Sequence, residues 1–155
     1  MTGKEEKFFG VLREYTGYCE KAGALLDSVV SGETDPEEGY ESLRLLKRQS
    51  RDVQGRLIER LYKAYREPAY ANEARSMVVR MDGIINGAKD IVNTLIVYHK
   101  EETCPEGIHV MTKLIRCAVS EMVKIIGYTD DVEDNLMKMD ARCQRIYNME
   151  ERGDN

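Results

Sequence analysis

The sequence has no tryptophan, two phenylalanines, two histidines and three prolines among its 155 residues. Strands favour aromatic and β-branched side chains, and sheets need frequent turns, so this balance argues against a β fold. The cysteines are Cys19, Cys104, Cys117 and Cys143. None forms a C-x-x-C pair, and neither histidine stands near two of them at a zinc-ligand interval, so neither a zinc module nor a disulfide framework is expected. His99 and His109 are isolated and read as solvated or capping residues. No apolar run is long enough to span a bilayer, since the longest, from Asp90 to Tyr98, is short and interrupted. The opening MTGKEEKFF has no signal-peptide apolar region, so a cytoplasmic location is the expectation. The net charge of −5 does not suit a nucleic-acid binder. Glycine-rich phosphate loops, H-E-x-x-H, G-x-S-x-G and EF-hand loops are all missing. Nothing argues for an enzyme.

What is present is helical periodicity. Phe8, Leu12, Tyr15, Cys19, Ala22, Leu26 and Val29 recur at alternating steps of four and three, which places one side chain per turn on a single stripe. Ser31-Gly32 ends this helix, and Thr34-Asp35-Pro36-Glu37-Glu38 starts the next with an oxygen cap, a first-turn proline and acids at the positive dipole end. Its core face is Tyr40, Leu43, Leu46, Ser50, Val53, Leu57, Leu61 and Ala64. After Pro68 a third helix carries Met77, Met81, Ile84, Ala88, Ile91, Leu95 and Tyr98, widened by Val78, Ile85, Val92 and Ile96. Gly83 and Gly87, one turn apart, cost about 1 kcal/mol each against alanine in a helix interior, so a close neighbouring backbone is expected there. A fourth helix buries Val110, Met111, Leu114, Cys117, Ala118, Met122 and Ile125. After a break at Gly127-Tyr128-Thr129, a fifth buries Val132, Leu136, Met139, Cys143, Ile146 and Met149. The chain stops as if cut inside that helix.

The expected fold is all-α: a bundle of long antiparallel helices at about 4–30, 36–66, 71–101, 106–126 and 130–152. Charge along it is uneven. The second helix holds Arg44, Lys47, Arg48, Arg51, Arg56, Arg60, Lys63 and Arg66 against Asp52 and Glu59, while segment 130–140 is acidic. These are two solvated faces that could face each other, or the basic one is a groove for an anion or an acidic partner, with Lys47, Arg48 and Arg51 as its contacts. Asp82 with Asn86, and Glu150 with Asp154, are oxygen-bearing pairs at i and i+4. Such pairs point the same way and can share a hard ion with a pair on a neighbouring helix. The candidate metal residues are therefore Asp82, Glu150 and Asp154.

The stretches FFGVLREYTGYCEKAGALL, LIERLYKAYREP and MDGIINGAKDIVNTLIVYH resemble the PhoU-like regulators associated with Pit-type phosphate transporters. The resemblance covers most of the chain, more weakly after Tyr98, and CQRIYNMEERGD is similar to the acidic motif of a second three-helix repeat. It implies one complete repeat over 1–102 and an incomplete second one over 103–155, within one helical-bundle domain. It also implies a non-enzymatic regulator of phosphate uptake, working through a transporter or signalling protein at the inner face of the membrane. Iron or zinc are the ions its acid motifs would hold. The departures bear on that site. Lys47 and Arg51 stand where the family has a carboxylate pair, Gly83 and Asn86 replace two of three aspartates, and Asp82 alone remains. Cations there would repel a metal. An incomplete second repeat exposes apolar surface, so a homo-oligomer is expected. The alternatives of another class are a metal- or anion-binding bundle and a degenerate self-associating scaffold.

Overall fold

A computed structural model describes residues 1–98 and 104–154. It contains five helices packed together: α1 Gly3–Val30, α2 Pro36–Ala64, α3 Pro68–Tyr98, α4 Glu106–Gly127 and α5 Val132–Asp154, with a 3-10 turn at Tyr128–Asp130 before α5. Among the described residues there is no strand. The expected end of the third helix at 101, and His99, lie outside the described residues.

The local chemistry sets the ends. Thr2 Oγ1 accepts from the Glu5 N–H, and Glu5 returns a carboxylate to the Thr2 N–H at 2.7 Å, a reciprocal cap that starts α1. Gly32 takes the left-handed conformation, φ +78°, which closes α1. Asp35 caps the N–H groups of Glu37 and Glu38, with Pro36 opening α2. The α1–α2 crossing is close. A Cβ on Gly39 would lie 2.2 Å from Val29 Cγ2.

The helix α1 is the hub, packing against α2, α3 and α4. All seven residues of its expected stripe are buried, with Phe8, Leu12, Tyr15, Cys19, Ala22 and Leu26 almost wholly so. Of these, Phe8, Leu12 and Leu26 each contribute about 1.5–3 kcal/mol on burial. Helix α1 runs antiparallel to α2 and to α4, and α4 antiparallel to α5. Glu14 meets Arg56 across α1–α2, Arg13 and Asp27 meet Asp130 and Arg116 on the α4 side, and Glu121 meets Arg142 across α4–α5. On α3 the deepest residues are Val78, Ile85 and Val92, while Tyr98 is exposed. The burial axis of that helix thus lies between the two apolar rows.

Two expectations fail. A methyl group placed on Gly83 or Gly87 would meet nothing within 4 Å, so no neighbouring backbone approaches them. And α5 has no buried residue: Leu136 and Cys143 are exposed, as are Val110, Met111 and Cys117 on α4. The reason is topological. Among the described residues, the last helix packs mainly on α4 and the 3-10 turn, so one flank of its apolar face is left uncovered by them. The basic face of α2 and the acidic segment after Asp130 do not meet either. Asp130 is instead taken by Arg13 of α1 at 3.0 Å.

Candidate functional site

The polar centre of the bundle is Asp82. It sits on α3 and collects donors from three helices. Tyr15 Oη of α1 donates to Oδ1 at 2.9 Å, the Lys47 ammonium of α2 makes an ion pair with the same oxygen, and Asn86 Nδ2 donates to Oδ2 at 3.1 Å. The Lys47 and Asp82 side chains are 16% and 18% exposed, so the pair is mostly shielded from water. Ser50 Oγ donates to the Lys47 carbonyl at 2.9 Å, and Cys19 Sγ lies 3.5 Å from the Met81 carbonyl.

Burial alone would raise the Asp82 pKa. The hydrogen bonds from Lys47 and Tyr15 outweigh it, and the carboxyl settles below its ordinary range. Burial, reinforced by the Asp82 charge, raises the Tyr15 phenol and pushes the Cys19 thiol up to about 12. Tyr15 is therefore a neutral donor, and Cys19 is not a thiolate nucleophile at neutral pH.

The donor set decides how this centre relates to a metal. One carboxylate accepting from an ammonium, a phenol and an amide already has most of its lone pairs occupied. Among the described residues, no group of three or more His, Cys, Asp or Glu side chains could hold a metal ion. The residues around Asp82 do not fit the iron or zinc that the resemblance implies.

Lys47 and Asp82, which charge pattern and spacing singled out separately and the resemblance set at one site, are thus brought into one pair. The remaining candidates are placed elsewhere. Arg48 and Arg51 are exposed on α2 and carry no ion pair among the described residues. Glu150 and Asp154 are exposed on α5 beside Met111, Ala118 and Ile146, and the fold does not bring them to Asp82.

A second polar centre is not announced by the sequence. Glu121 of α4 is 7% exposed and receives Arg142 at 2.8 Å, Lys124 at 3.0 Å and Arg145 at 3.5 Å. Arg142 also donates to Tyr128 Oη at 3.2 Å, and its guanidinium lies 5.5 Å from that ring. The hydrogen bonds from Arg142 and then Lys124 lower the Glu121 pKa. This cluster pins α5 to α4. Only the Glu121–Lys124 spacing is legible in the chain itself, because the turn that returns Arg142 to Glu121 is a tertiary fact.

No family model, curated protein or solved structure matches the chain.

Proposed function

We propose that the chain is a non-enzymatic accessory protein of inorganic phosphate uptake, working through helix-bundle contacts with a transporter or signalling partner at the inner face of the membrane. The phosphate assignment rests on the sequence resemblance. The observation that favours contact over metal chemistry is the Lys47–Asp82 pair, in which an ammonium takes up the carboxylate that the resemblance would give to an ion. A bundle closed internally in this way acts through its surface. Uptake of radiolabelled phosphate by cells with and without the protein tests the reading. We expect the initial rate to change at least twofold on deletion and to return with the restored chain. An unchanged rate in both phosphate-rich and phosphate-poor medium would overturn it.

A second reading, an anion-binding bundle, is favoured by Arg48 and Arg51, exposed, one turn apart and without ion pairs among the described residues. Titration with inorganic phosphate, followed by calorimetry on the protein and on Arg48→Ala/Arg51→Ala, separates the two. Saturable heat lost in the variant would favour this reading.

A further inference from the structure

The helices α3 and α4 both lean on α1 but meet each other only along an open seam. Met77, Ile84 and Ile91 on α3, and Ile108, Ile115 and Met122 on α4, recur every seven residues and line it half-buried. At one end the seam opens into a hollow of about 380 Å³ between Ile91, Leu95, Ile108 and Met111. Across α4 a second hollow of about 350 Å³ lies against Ile146 and Met149 of α5. Met111 and Ile115 line both, so the two hollows adjoin along α4, one toward α3 and one toward α5, and together form one trough. Met111 is 44% exposed at its centre.

Among the described residues lining these two hollows, the charged ones are all acidic, whereas the other end of the α3–α4 seam carries Arg80 beside Glu73. Asp90 stands on the α3 side, and Glu150 and Asp154 on the α5 side. None of the three forms an ion pair among the described residues. An apolar trough between two carboxylate-bearing sides is the complement of a helix with an apolar stripe and cations on both flanks. Methionines at 111 and 149 suit such an occupant, because an unbranched thioether adjusts to an irregular apolar surface. The cation-rich α2 of a second copy fits less well. The exposed cations of α2 are accompanied only by Leu45 and Tyr62 as large exposed apolar residues, and these lie far apart along the helix.

We propose that the α3–α4–α5 trough docks a basic amphipathic helix of a partner protein, with Met111 at the centre and Asp90, Glu150 and Asp154 flanking it. The proposal rests on the contact reading above, but not on phosphate.

The test uses the full chain and three fluorescein-labelled 18-residue peptides. One has a leucine stripe flanked by lysines, one has the same composition scrambled, and one has glutamates in place of the lysines. We expect saturable 1:1 anisotropy binding of the first alone, weakening at least tenfold as salt rises from 50 to 500 mM. Met111→Asp, and separately Asp90→Lys/Glu150→Lys, should each weaken it at least tenfold. Glu20→Lys/Glu33→Lys, the same charge change on α1 and its following turn, should change it less than twofold. Circular dichroism melts confirm that each variant is folded. Equal loss in the control pair would mean bulk charge alone, equal binding of the glutamate peptide would mean apolar adhesion alone, and absence of saturable binding would mean no site. Each overturns the proposal. Self-association in sedimentation equilibrium that Met111→Asp abolishes would also overturn it, because a second copy would then own the trough. Unchanged phosphate uptake with intact peptide binding would overturn the phosphate reading and leave this one standing.

Discussion

Asp82 Oδ1 is shared by Tyr15 and Lys47, so one oxygen on α3 ties α1 and α2 to it at once. Removing either end of the ion pair leaves a shielded charge without its counterpart. Lys47→Ala is expected to lower stability by about 3 kcal/mol, at the low end for a buried pair because both side chains keep some contact with water. Replacing both, as Lys47→Met/Asp82→Leu, should recover part of that loss. Urea denaturation of the single and double variants measures the coupling, and strictly additive losses would contradict it.

The same carboxyl should set an acid limb of stability. Its folded pKa lies below its unfolded value of about 3.9, so the unfolded chain binds more protons in that range. The contribution is therefore complete above about pH 4 and falls as the pH drops through the folded value. Asp82→Asn should be less stable at pH 7 and lose less on going from pH 6 to pH 3. Glu14 and Glu59 are shifted the same way by Arg56 and Lys63, so a residual slope persists in the variant.

At the alkaline end the sign reverses. The folded Cys19 thiol titrates near 12, well above its unfolded value of about 8.5, so its contribution is present below about pH 8.5 and is lost as the pH rises toward 12. Thiol chemistry gives a direct check at neutral pH. Cys117 and Cys143 are exposed and should react with a disulfide reagent in the native protein, whereas Cys19 should react only on unfolding. Rapid native labelling of Cys19, located by mass spectrometry, would contradict the packing of α1.

Two classes of glycine should respond oppositely to alanine. Gly39→Ala drives a methyl group into Val29 at the α1–α2 crossing and should cost about 1–3 kcal/mol. Gly83→Ala and Gly87→Ala meet open space in a helix interior and should each stabilise by up to about 1 kcal/mol. Thermal melts of the three variants read the signs. A destabilised Gly83→Ala would reveal a close neighbour after all.

How far the sequence could be read depended on what periodicity can encode. The α1 stripe was legible to the residue, because a hub helix buries its whole apolar face. The pattern of α5 was equally regular, yet Leu136 is 61% exposed. Periodicity tells which face is apolar but not whether another element reaches it. The Asp35-Pro36 start of α2 was legible because its chemistry is local. Asp82 was visible as an oxygen ligand one turn from Asn86 and Lys47 as part of a basic face, and periodicity could not pair them, because they lie 35 residues apart on different helices. Glu121 stayed hidden for the same reason, its main partner being 21 residues away beyond a turn.

The way α5 is attached gives the molecule an order of loosening. Among the described residues it packs mainly against α4 and the 3-10 turn, while α1 packs against three helices. Free energies of local opening follow buried contact, so the amides of α5 should exchange with solvent deuterium first and those in the middle of α1 last, near the limit of global unfolding. A partner that settles between α3 and α5 would then be felt most in the helix that holds on least. Its binding would register as slowed exchange in α5 with little change in α1.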